Sequence, residues 1–321
     1  MNGRRTQESP LAGQTAVVTG ASRGLGLLIA RELADRGCAL VVCARDAEAL
    51  HRSAEQLRSR GAPVTEVAAD LTDPETADRL VAAARSSGRE VDILVNNAGE
   101  IQVGPVAAMT EADFRSAMET MFFAPLRLVL AVVPGMRERR RGRVVNVTSI
   151  GGRIAAPHLL PYDAAKFAAA GLSEGLRAEL AADGVSVTTV VPGLMRTGSH
   201  LAAEFAGRPE QEYAWFGPAA SLPGLSMDAG RAARRIVRAA ERRRAELVLT
   251  PVAKIAVRAH GIAPATTTRT LGLAARLLPG EGGDGGDRAR GAEAARRLGS
   301  RLVGVLTTAG DRAARRHNEP A

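Results

Sequence analysis

Strand-like and helix-like segments alternate along most of this 321-residue chain, and no other feature limits its possible folds so strongly. Short runs rich in Val, Ile and Thr, typical of buried strands, are each followed by a longer segment of helical composition. Parallel neighbouring strands need such long crossovers, so the order predicts a parallel sheet covered by helices on both faces. The predicted strands are residues 15–19, 39–44, 64–68, 91–95, 143–147, 186–191 and 247–250. The predicted helices are residues 24–36, 47–60, 74–86, 111–137, 161–182 and 228–243.

This pattern predicts an α/β protein whose doubly wound, Rossmann-like sheet of about seven strands occupies residues 1–250. Residues 194–227 carry three prolines and no clear strand pattern, which indicates either a substrate lid or a surface excursion with its own small core. Residues 251–280 form a predicted helical extension. Residues 281–321 begin as a glycine-rich flexible linker and continue as an Arg- and Ala-rich tail, which either forms a short helix or stays disordered.

Composition excludes several classes of function. The net charge is +9, but only 3% of the residues are aromatic, so no nucleic-acid partner is expected. The histidines lack the spacing of a metal site, and no metal is expected. Cys38 and Cys43 flank a strand that holds them too far apart for a disulfide, which predicts two buried thiols. Without a signal-peptide core or a long uncharged apolar stretch, a cytoplasmic location is expected.

A glycine-rich loop at residues 19–26, with the sequence TGASRGLG, follows the first predicted strand and opens the first helix. Glycines in this position let backbone amides approach a pyrophosphate at a helix N-terminus, where the helix dipole favours an anion. The loop therefore predicts a dinucleotide site. Its predicted contacts are Gly20, Ser22, Arg23, Gly24, Leu25 and Gly26.

The end of the second strand indicates which nucleotide binds. An acidic residue there usually holds the ribose 2′-hydroxyl of NAD, whereas a basic residue accommodates the 2′-phosphate of NADP. Here the strand ends at Arg45, and Arg23 lies in the glycine loop at the same corner. Asp46 comes one place too late to be the obvious ribose ligand. The sequence favours NADP(H) over NAD(H).

Tyr162 and Lys166 form the most informative pair of polar residues, because the chain has only two tyrosines and 41 of its 43 basic residues are arginines. Residues four apart share one face of a helix. An ammonium near a phenol favours the phenolate, which moves the phenol toward use as a general acid or base. The alternative is an ordinary surface Tyr and Lys on an amphipathic helix.

Together these motifs resemble the classical short-chain dehydrogenase/reductase family over residues 11–250. The glycine loop is similar to that family's phosphate loop, and Asn96-Asn97-Ala98-Gly99 is similar to its element after the fourth strand. Ser149, thirteen residues before Tyr162, matches the active-site serine. The resemblance also implies cofactor contacts, at Asp70, Leu71, Asn97, Ala98, Gly99, Pro192, Gly193 and Thr197.

The resemblance implies a mechanism. Tyr162 would exchange a proton with the substrate oxygen, and Lys166 would lower the pKa of Tyr162 and hold the nicotinamide ribose. Ser149 would hydrogen-bond the substrate carbonyl or alcohol. Tyr162 and Lys166 would thus serve both catalysis and cofactor binding.

One position departs from the family pattern. Met121 stands where the family usually has an asparagine that helps hold a water and the lysine in a proton relay. A methionine cannot hydrogen-bond in that way. Three outcomes are open: Lys166 reaches solvent by another water path, turnover is slow, or the chain binds cofactor with little catalysis.

These observations predict an oxidoreductase that transfers a hydride between NADP(H) and a hydrophobic small-molecule carbonyl or alcohol. The alternative is an NADPH-binding sensor or scaffold. The resemblance implies a homodimer or homotetramer formed through the helices at residues 111–137 and 161–182. Residues 252–278 have a basic amphipathic pattern that can lie on an anionic membrane surface, but a helix pair packed on the enzyme core or a second subunit is favoured.

Overall fold

The computed structural model describes residues 9–280 and 287–318. The strands are β1 (Thr15–Thr19), β2 (Ala39–Ala44), β3 (Val64–Ala68), β4 (Ile93–Asn96), β5 (Gln102–Val103), β6 (Gly142–Val147), β7 (Val185–Val191), β8 (Met195–Arg196), β9 (Glu204–Ala206), β10 (Met227–Asp228), β11 (Glu246–Val248) and β12 (Arg288–Arg290). The α-helices are α1 (Gly24–Ala34), α2 (Ala47–Arg58), α3 (Thr76–Ser86), α4 (Glu111–Met118), α5 (Ala124–Glu138), α6 (Leu160–Leu180), α7 (Ser199–Ala202), α8 (Pro209–Ser221), α9 (Ala229–Glu241), α10 (Pro251–Ile262), α11 (Pro264–Ala275), α12 (Gly291–Leu298) and α13 (Arg301–Arg316).

Seven strands form a parallel sheet in the order β11-β7-β6-β4-β1-β2-β3. Strand order changes direction between β1 and β4, where the connections leave on opposite sides and open a crevice at the carboxyl ends. The predicted doubly wound α/β sheet of about seven strands is confirmed. Two strands differ from their predicted bounds at both ends. The strand predicted at residues 91–95 is Ile93–Asn96, and the one predicted at residues 247–250 is Glu246–Val248. Thr250 lies outside that strand and caps α10, since its Oγ1 accepts a hydrogen bond from Ala253 N at 3.1 Å.

Apolar side chains fill both sides of the sheet. One cluster packs α1 and α9 against one face through residues such as Leu27 and Ile236. The other packs α3 and α5 against the opposite face through Leu80 and Leu128. Cys38 and Cys43 are free and buried in these layers, as predicted.

The helix predicted over residues 111–137 is interrupted. A π-turn at Glu119–Phe123 separates α4 from α5, and Ala124 N donates to the carbonyl of Glu119. The combined run Glu111–Glu138 is long and apolar enough to cross a membrane by length and composition, the only such run in the described residues. In its most apolar part 39% of the residues are buried, among them Leu128, Val129 and Val132, which pack against the sheet.

Residues 194–227 are more regular than expected. They contain β8, β9 and β10 together with α7 and α8, and a small core surrounds Phe205, Tyr213 and Phe216. The tail completes this unit: β12 pairs antiparallel with β9, and α12 and α13 pack on α8. The tail was predicted to form a short helix or to stay disordered, whereas its described residues 287–318 contain a strand followed by two helices. The predicted flexible linker at residues 281–287 lies outside the described residues except for Asp287, whose carbonyl accepts from Gly207 N at 3.1 Å.

The predicted extension at residues 251–280 is a helical hairpin of α10 and α11. Only Ala253 is buried in α10, and no residue of α11 is buried. The pair was predicted to pack on the enzyme core or on a second subunit; within the described part of the chain only Ala253, in the first turn of α10, is buried, and packing on a second subunit stays a prediction. The division of the chain at residues 250 and 280 stays a prediction.

Candidate active site

One cavity of ≈ 610 Å³ lies at the carboxyl edge of the sheet, in the crevice between β1 and β4. Its volume suits a cofactor and a small substrate. Every residue predicted for the site lines this cavity. They are Gly20, Ser22, Arg23, Gly24, Leu25, Gly26, Arg45, Asp70, Leu71, Asn97, Ala98, Gly99, Ser149, Tyr162, Lys166, Pro192, Gly193 and Thr197.

The glycine loop approaches its neighbours more closely than a side chain would allow. Gly20 has a φ of +64°, a conformation that glycine adopts without strain. A Cβ on Gly26 would lie 2.1 Å from the carbonyl oxygen of Gly20 and 2.5 Å from Nδ2 of Asn97. Asn97 fixes the loop from the other side, since its Nδ2 donates to the carbonyl of Thr19 at 3.0 Å. The glycine backbone at the start of α1 allows the close approach that a pyrophosphate needs.

Side chains at the end of β2 and β3 form the far corner of the cavity. Asp46 accepts a hydrogen bond from Ala49 N at 2.9 Å and so caps α2. Its carboxylate is engaged in capping, whereas Arg45 is exposed at the cavity wall. Hydrogen bonds from Thr72 lower the pKa of Asp70, and the charge of Arg45 acts in the same direction.

Ser149, Tyr162 and Lys166 converge at the opposite end. Ser149 follows β6, and its Oγ accepts from Gly151 N at 3.0 Å, which fixes the turn after the strand. Tyr162 and Lys166 lie one turn apart on α6. The Lys166 ammonium donates to the carbonyl of Val147 at 2.9 Å and lies 5.7 Å from the centre of the Tyr162 ring.

Burial dominates the electrostatics of this group. It raises the pKa of Tyr162 to about 12, although a hydrogen bond with Ser149 acts in the opposite direction. Burial also lowers the pKa of Lys166 to about 8. Below pH 8 the pair is therefore a neutral phenol beside an ammonium. The tyrosine thus carries the proton that a general acid needs.

Asp163 is a buried acid that the sequence reasoning missed. Its side chain lines the cavity next to Tyr162, and Oδ2 accepts from Ala156 N at 2.6 Å. Oδ1 is buried and has no hydrogen-bond partner in the part of the chain that the structure describes. Burial raises the pKa of Asp163 to about 8, so the carboxyl group is neutral at lower pH. In the sequence, only its position next to Tyr162 could have indicated that Asp163 belongs to the site.

Met121 is 2% exposed and lies in the π-turn against the lysine side of the site. A Cβ added to Gly99 would be 3.4 Å from the Met121 sulfur and 3.6 Å from the Lys166 nitrogen. A second, small cavity of ≈ 10 Å³ opens behind Lys166 and is lined by Asn96, Met121 and Asn146. This is about the space that one water needs. Among the described residues, Asn96 Oδ1 is buried and has no hydrogen-bond partner.

The tail contributes to the main cavity, which the sequence did not suggest. Arg290 at the end of β12 lines it together with Phe216 and Ala220 of α8. Beyond α13, the carbonyl of His317 accepts from Gly24 N at 2.8 Å, and Asn318 Nδ2 donates to the carbonyl of Ser22 at 2.8 Å. The tail therefore packs on residues 194–227, called the lid below, and its end reaches the glycine loop.

One group of residues in the described chain has the spacing of a metal site, namely His51, Glu55 and Glu66. Arg58 lies 2.7 Å from a carboxylate oxygen of each glutamate, so both negative charges already have a cation. None of the three residues lines the main cavity.

The sequence profile of the family described as short chain dehydrogenase matches residues 14–204, which is more than half of the chain. This span contains the glycine loop and the Ser149, Tyr162 and Lys166 group. The chain belongs to the short-chain dehydrogenase/reductase family. It is accordingly an NAD(P)(H)-dependent oxidoreductase, and the predicted family is confirmed.

Individual relatives agree with this assignment. The granaticin polyketide synthase putative ketoacyl reductase 1 of Streptomyces violaceoruber is 38% identical over 184 residues, covering 57% of this chain and 68% of the relative. Dehydrogenase/reductase SDR family member 7B of Bos taurus is 31% identical over 267 residues, with 81% of each chain covered. L-Sorbose reductase from Gluconobacter frateurii, solved with NADPH and L-sorbose, superposes with a TM-score of 0.68 at 27% identity, covering 75% of this chain and 97% of that one.

Proposed function

We propose that this protein is an NADPH-dependent reductase of carbonyl compounds, in which Tyr162 is the general acid. The observation that carries the proposal is the convergence of Ser149, Tyr162 and Lys166 at one end of a cavity whose other end is the glycine loop. The cofactor supplies the hydride. Gly26 supports the fit of the cofactor's pyrophosphate. Any Cβ there would collide with the backbone of Gly20, so the loop is packed as tightly as a pyrophosphate-binding glycine loop requires.

The chain's own residues have distinct tasks. Ser149 donates a hydrogen bond to the substrate oxygen and orients it toward Tyr162. As negative charge develops on that oxygen, the Tyr162 hydroxyl gives up its proton. The Lys166 ammonium, held by the carbonyl of Val147, stabilises the phenolate that remains. The same lysine holds the nicotinamide ribose.

Proton return to Tyr162 needs a route that does not depend on the side chain at position 121. The small cavity behind Lys166 supports such a route, because it is about the size of one water and is lined by Asn96, whose Oδ1 has no hydrogen-bond partner among the described residues. A water bonded to this oxygen would lie on the lysine side of the site. This arrangement favours turnover over a role limited to cofactor binding.

Preference for NADP(H) follows from the far corner of the cavity. Arg23 and Arg45 line it, while Asp46 is used as the cap of α2. A 2′-phosphate would gain charge-assisted hydrogen bonds from the arginines, each worth about 1.5–3 kcal/mol. The NADPH bound to the similar L-sorbose reductase agrees with this preference.

The proposed substrate is a hydrophobic carbonyl compound. Leu159, Leu194, Met195 and Phe216 line the substrate side of the cavity with apolar surface. The ketoacyl reductase name of one relative suggests acyl or polyketide-like ketones as the first class to test. The proposed enzyme is cytoplasmic. It is proposed to self-associate through α5 and α6, because Leu130 and Phe167 expose 65% and 42% of their surface there.

The decisive test measures NADPH oxidation with a panel of β-keto esters and aromatic ketones. Tyr162→Phe should lower kcat by at least 100-fold, the scale of a lost general acid. Tyr213→Phe is the matched control, since Tyr213 is the other tyrosine and is buried in the core of the lid. Equal activity of the Tyr162→Phe variant and the wild type would refute the mechanism.

The alternative, a cofactor-binding sensor, is favoured only by Met121. Replacing it in Met121→Asn restores the family's hydrogen-bonding side chain beside Lys166. If the wild type binds NADPH but does not turn over and the variant turns over rapidly, the sensor assignment holds for the wild type. Similar rates in both proteins would support the route through the small cavity.

A further inference from the structure

The helical hairpin of α10 and α11 carries large apolar side chains in the open. Their exposed surface is 53% for Val252, 69% for Ile255, 86% for Ile262, 60% for Leu273 and 88% for Leu277. The two helices touch each other, and Thr267 Oγ1 lies 2.6 Å from Nδ1 of His260. Beyond this contact the hairpin has little support, since only Ala253 is buried.

Charge on the hairpin has one sign. Residues 251–280 contain Lys254, Arg258, Arg269 and Arg276 and no aspartate or glutamate. At about 100° per residue, the exposed apolar side chains of α10 lie within an arc of roughly 80°, with both cations beside it. Leu273 lies in α11 and Leu277 lies just beyond its end. The same spacing of about 100° per residue places Arg269 and Arg276 next to these two leucines around the helix axis.

We propose that this hairpin docks on the surface of an anionic lipid bilayer. Apolar side chains flanked by cations match a membrane interface, where acyl chains lie below phosphate groups. Each helix has 12 residues, about 18 Å, which is too short to span the hydrocarbon core. The hairpin therefore lies on the membrane and does not cross it.

A second copy of the chain fits this surface less well. Two hairpins in symmetric contact would bring four cations from each copy together without any acidic residue on either hairpin. The chain also offers a copy another exposed apolar surface, on α5 and α6 at Leu130 and Phe167.

The hairpin begins directly behind the wall of the main cavity. A Cβ on Gly193 would lie 2.5 Å from Thr250 Oγ1 and 3.5 Å from Ala253 Cβ, so the first turn of α10 packs against this cavity residue. Docking would hold the cavity close to a membrane, where apolar molecules accumulate. The docking proposal stands without the proposed reductase activity, and its test does not use turnover.

The test is co-sedimentation of the full chain with phosphatidylcholine vesicles, with and without phosphatidylglycerol. The wild type should bind only the anionic vesicles, and added salt should release it. The Arg269→Gln, Arg276→Gln pair should weaken binding about 25-fold at low salt, at about fivefold per cation. The Leu273→Ser, Leu277→Ser pair should weaken it at least about tenfold.

The matched charge control is the Arg234→Gln, Arg238→Gln pair, which removes the same charge from the exposed face of α9. The matched apolar control is Leu302→Ser, at a residue that is 69% exposed on α13. Both controls should bind within about threefold of the wild type. Circular dichroism would show that every variant is folded.

Three results would overturn the proposal. The wild type could stay in the supernatant with anionic vesicles, or the hairpin variants could bind as tightly as their controls. In the third, sedimentation velocity without lipid would show that the leucine pair dissociates an oligomer, while the wild type has no affinity for vesicles. The apolar surface of the hairpin would then be covered by a second copy of the chain.

Discussion

Arg288 anchors the tail to two other parts of the chain. Its guanidinium donates to both carboxylate oxygens of Asp113 on α4, at 2.8 and 2.7 Å, and to Glu204 on β9 at 2.7 Å. These bonds join the tail, the lid and the nucleotide-binding domain. The prediction is that Arg288→Ala releases the tail from the lid.

The pKa of Asp113 gives the size of the effect. The hydrogen bond from Arg288, which has the largest effect, and bonds from Thr110 lower this pKa from 3.8 to about 2. A shift of this size corresponds to about 2.4 kcal/mol at 1.36 kcal/mol per unit. Because Arg288 is 30% exposed and Thr110 contributes to the shift, we expect Arg288→Ala to lose about 1–2 kcal/mol.

Urea unfolding followed by the fluorescence of Trp215 would measure this loss. Trp215 is the only tryptophan, and it packs in the core shared by the lid and the tail. Since the folded pKa of Asp113 is depressed, the contribution is present above pH 4 and is lost as the pH falls through 2. The difference between wild type and variant should shrink over that window.

Arg296→Ala is the matched control, because Arg296 is an exposed arginine on α12 of the same tail. It should change stability by less than about 0.5 kcal/mol. Limited trypsin digestion should cut the tail faster in Arg288→Ala than in Arg296→Ala. Equal stability and equal cleavage in the two variants would refute the assignment of Arg288 as the anchor.

Three further predictions concern the main cavity. Gly26→Ala should abolish NADPH binding in a fluorescence titration, because its Cβ would lie 2.1 Å from the Gly20 carbonyl oxygen; retained affinity would contradict a pyrophosphate site at the glycine loop. Arg45→Ala should weaken NADPH binding by about tenfold or more and leave NADH almost unchanged, and an equal loss for both nucleotides would argue against a 2′-phosphate contact. Asp163→Asn should stabilise the protein at pH 8 by at least about 1.4 kcal/mol and have little effect at pH 4. The raised pKa of Asp163 makes the wild type lose stability as the pH rises from its unfolded value toward 8, so a pH-independent difference in thermal melting would rule this out.

The local pattern of residues was sufficient to predict the sheet, and together with the family resemblance it predicted many of the residues that line the main cavity, but not Asp163 or Arg290. Strand and helix periods are properties of short segments, so the seven strands of the sheet could be assigned one at a time. Parallel strands place their carboxyl ends at one edge, which agrees with the family resemblance that implied both Gly20 and the distant Pro192 as cofactor contacts. The glycine loop predicted a dinucleotide site, and Arg23 and Arg45 favoured NADP(H) as its ligand.

Tertiary packing decided the rest. The π-turn at Met121 depends on how α4 and α5 fit beside α6, and no local propensity encodes it. The tail has weak preferences of its own and becomes ordered by pairing β12 with β9, a contact between residues more than eighty positions apart. Burial, which sequence spacing cannot supply, sets the pKa of Tyr162, Asp163 and Lys166. The sequence by itself therefore determined the sheet and its motifs, whereas long-range packing decided the lid, the tail and the charge states of the site.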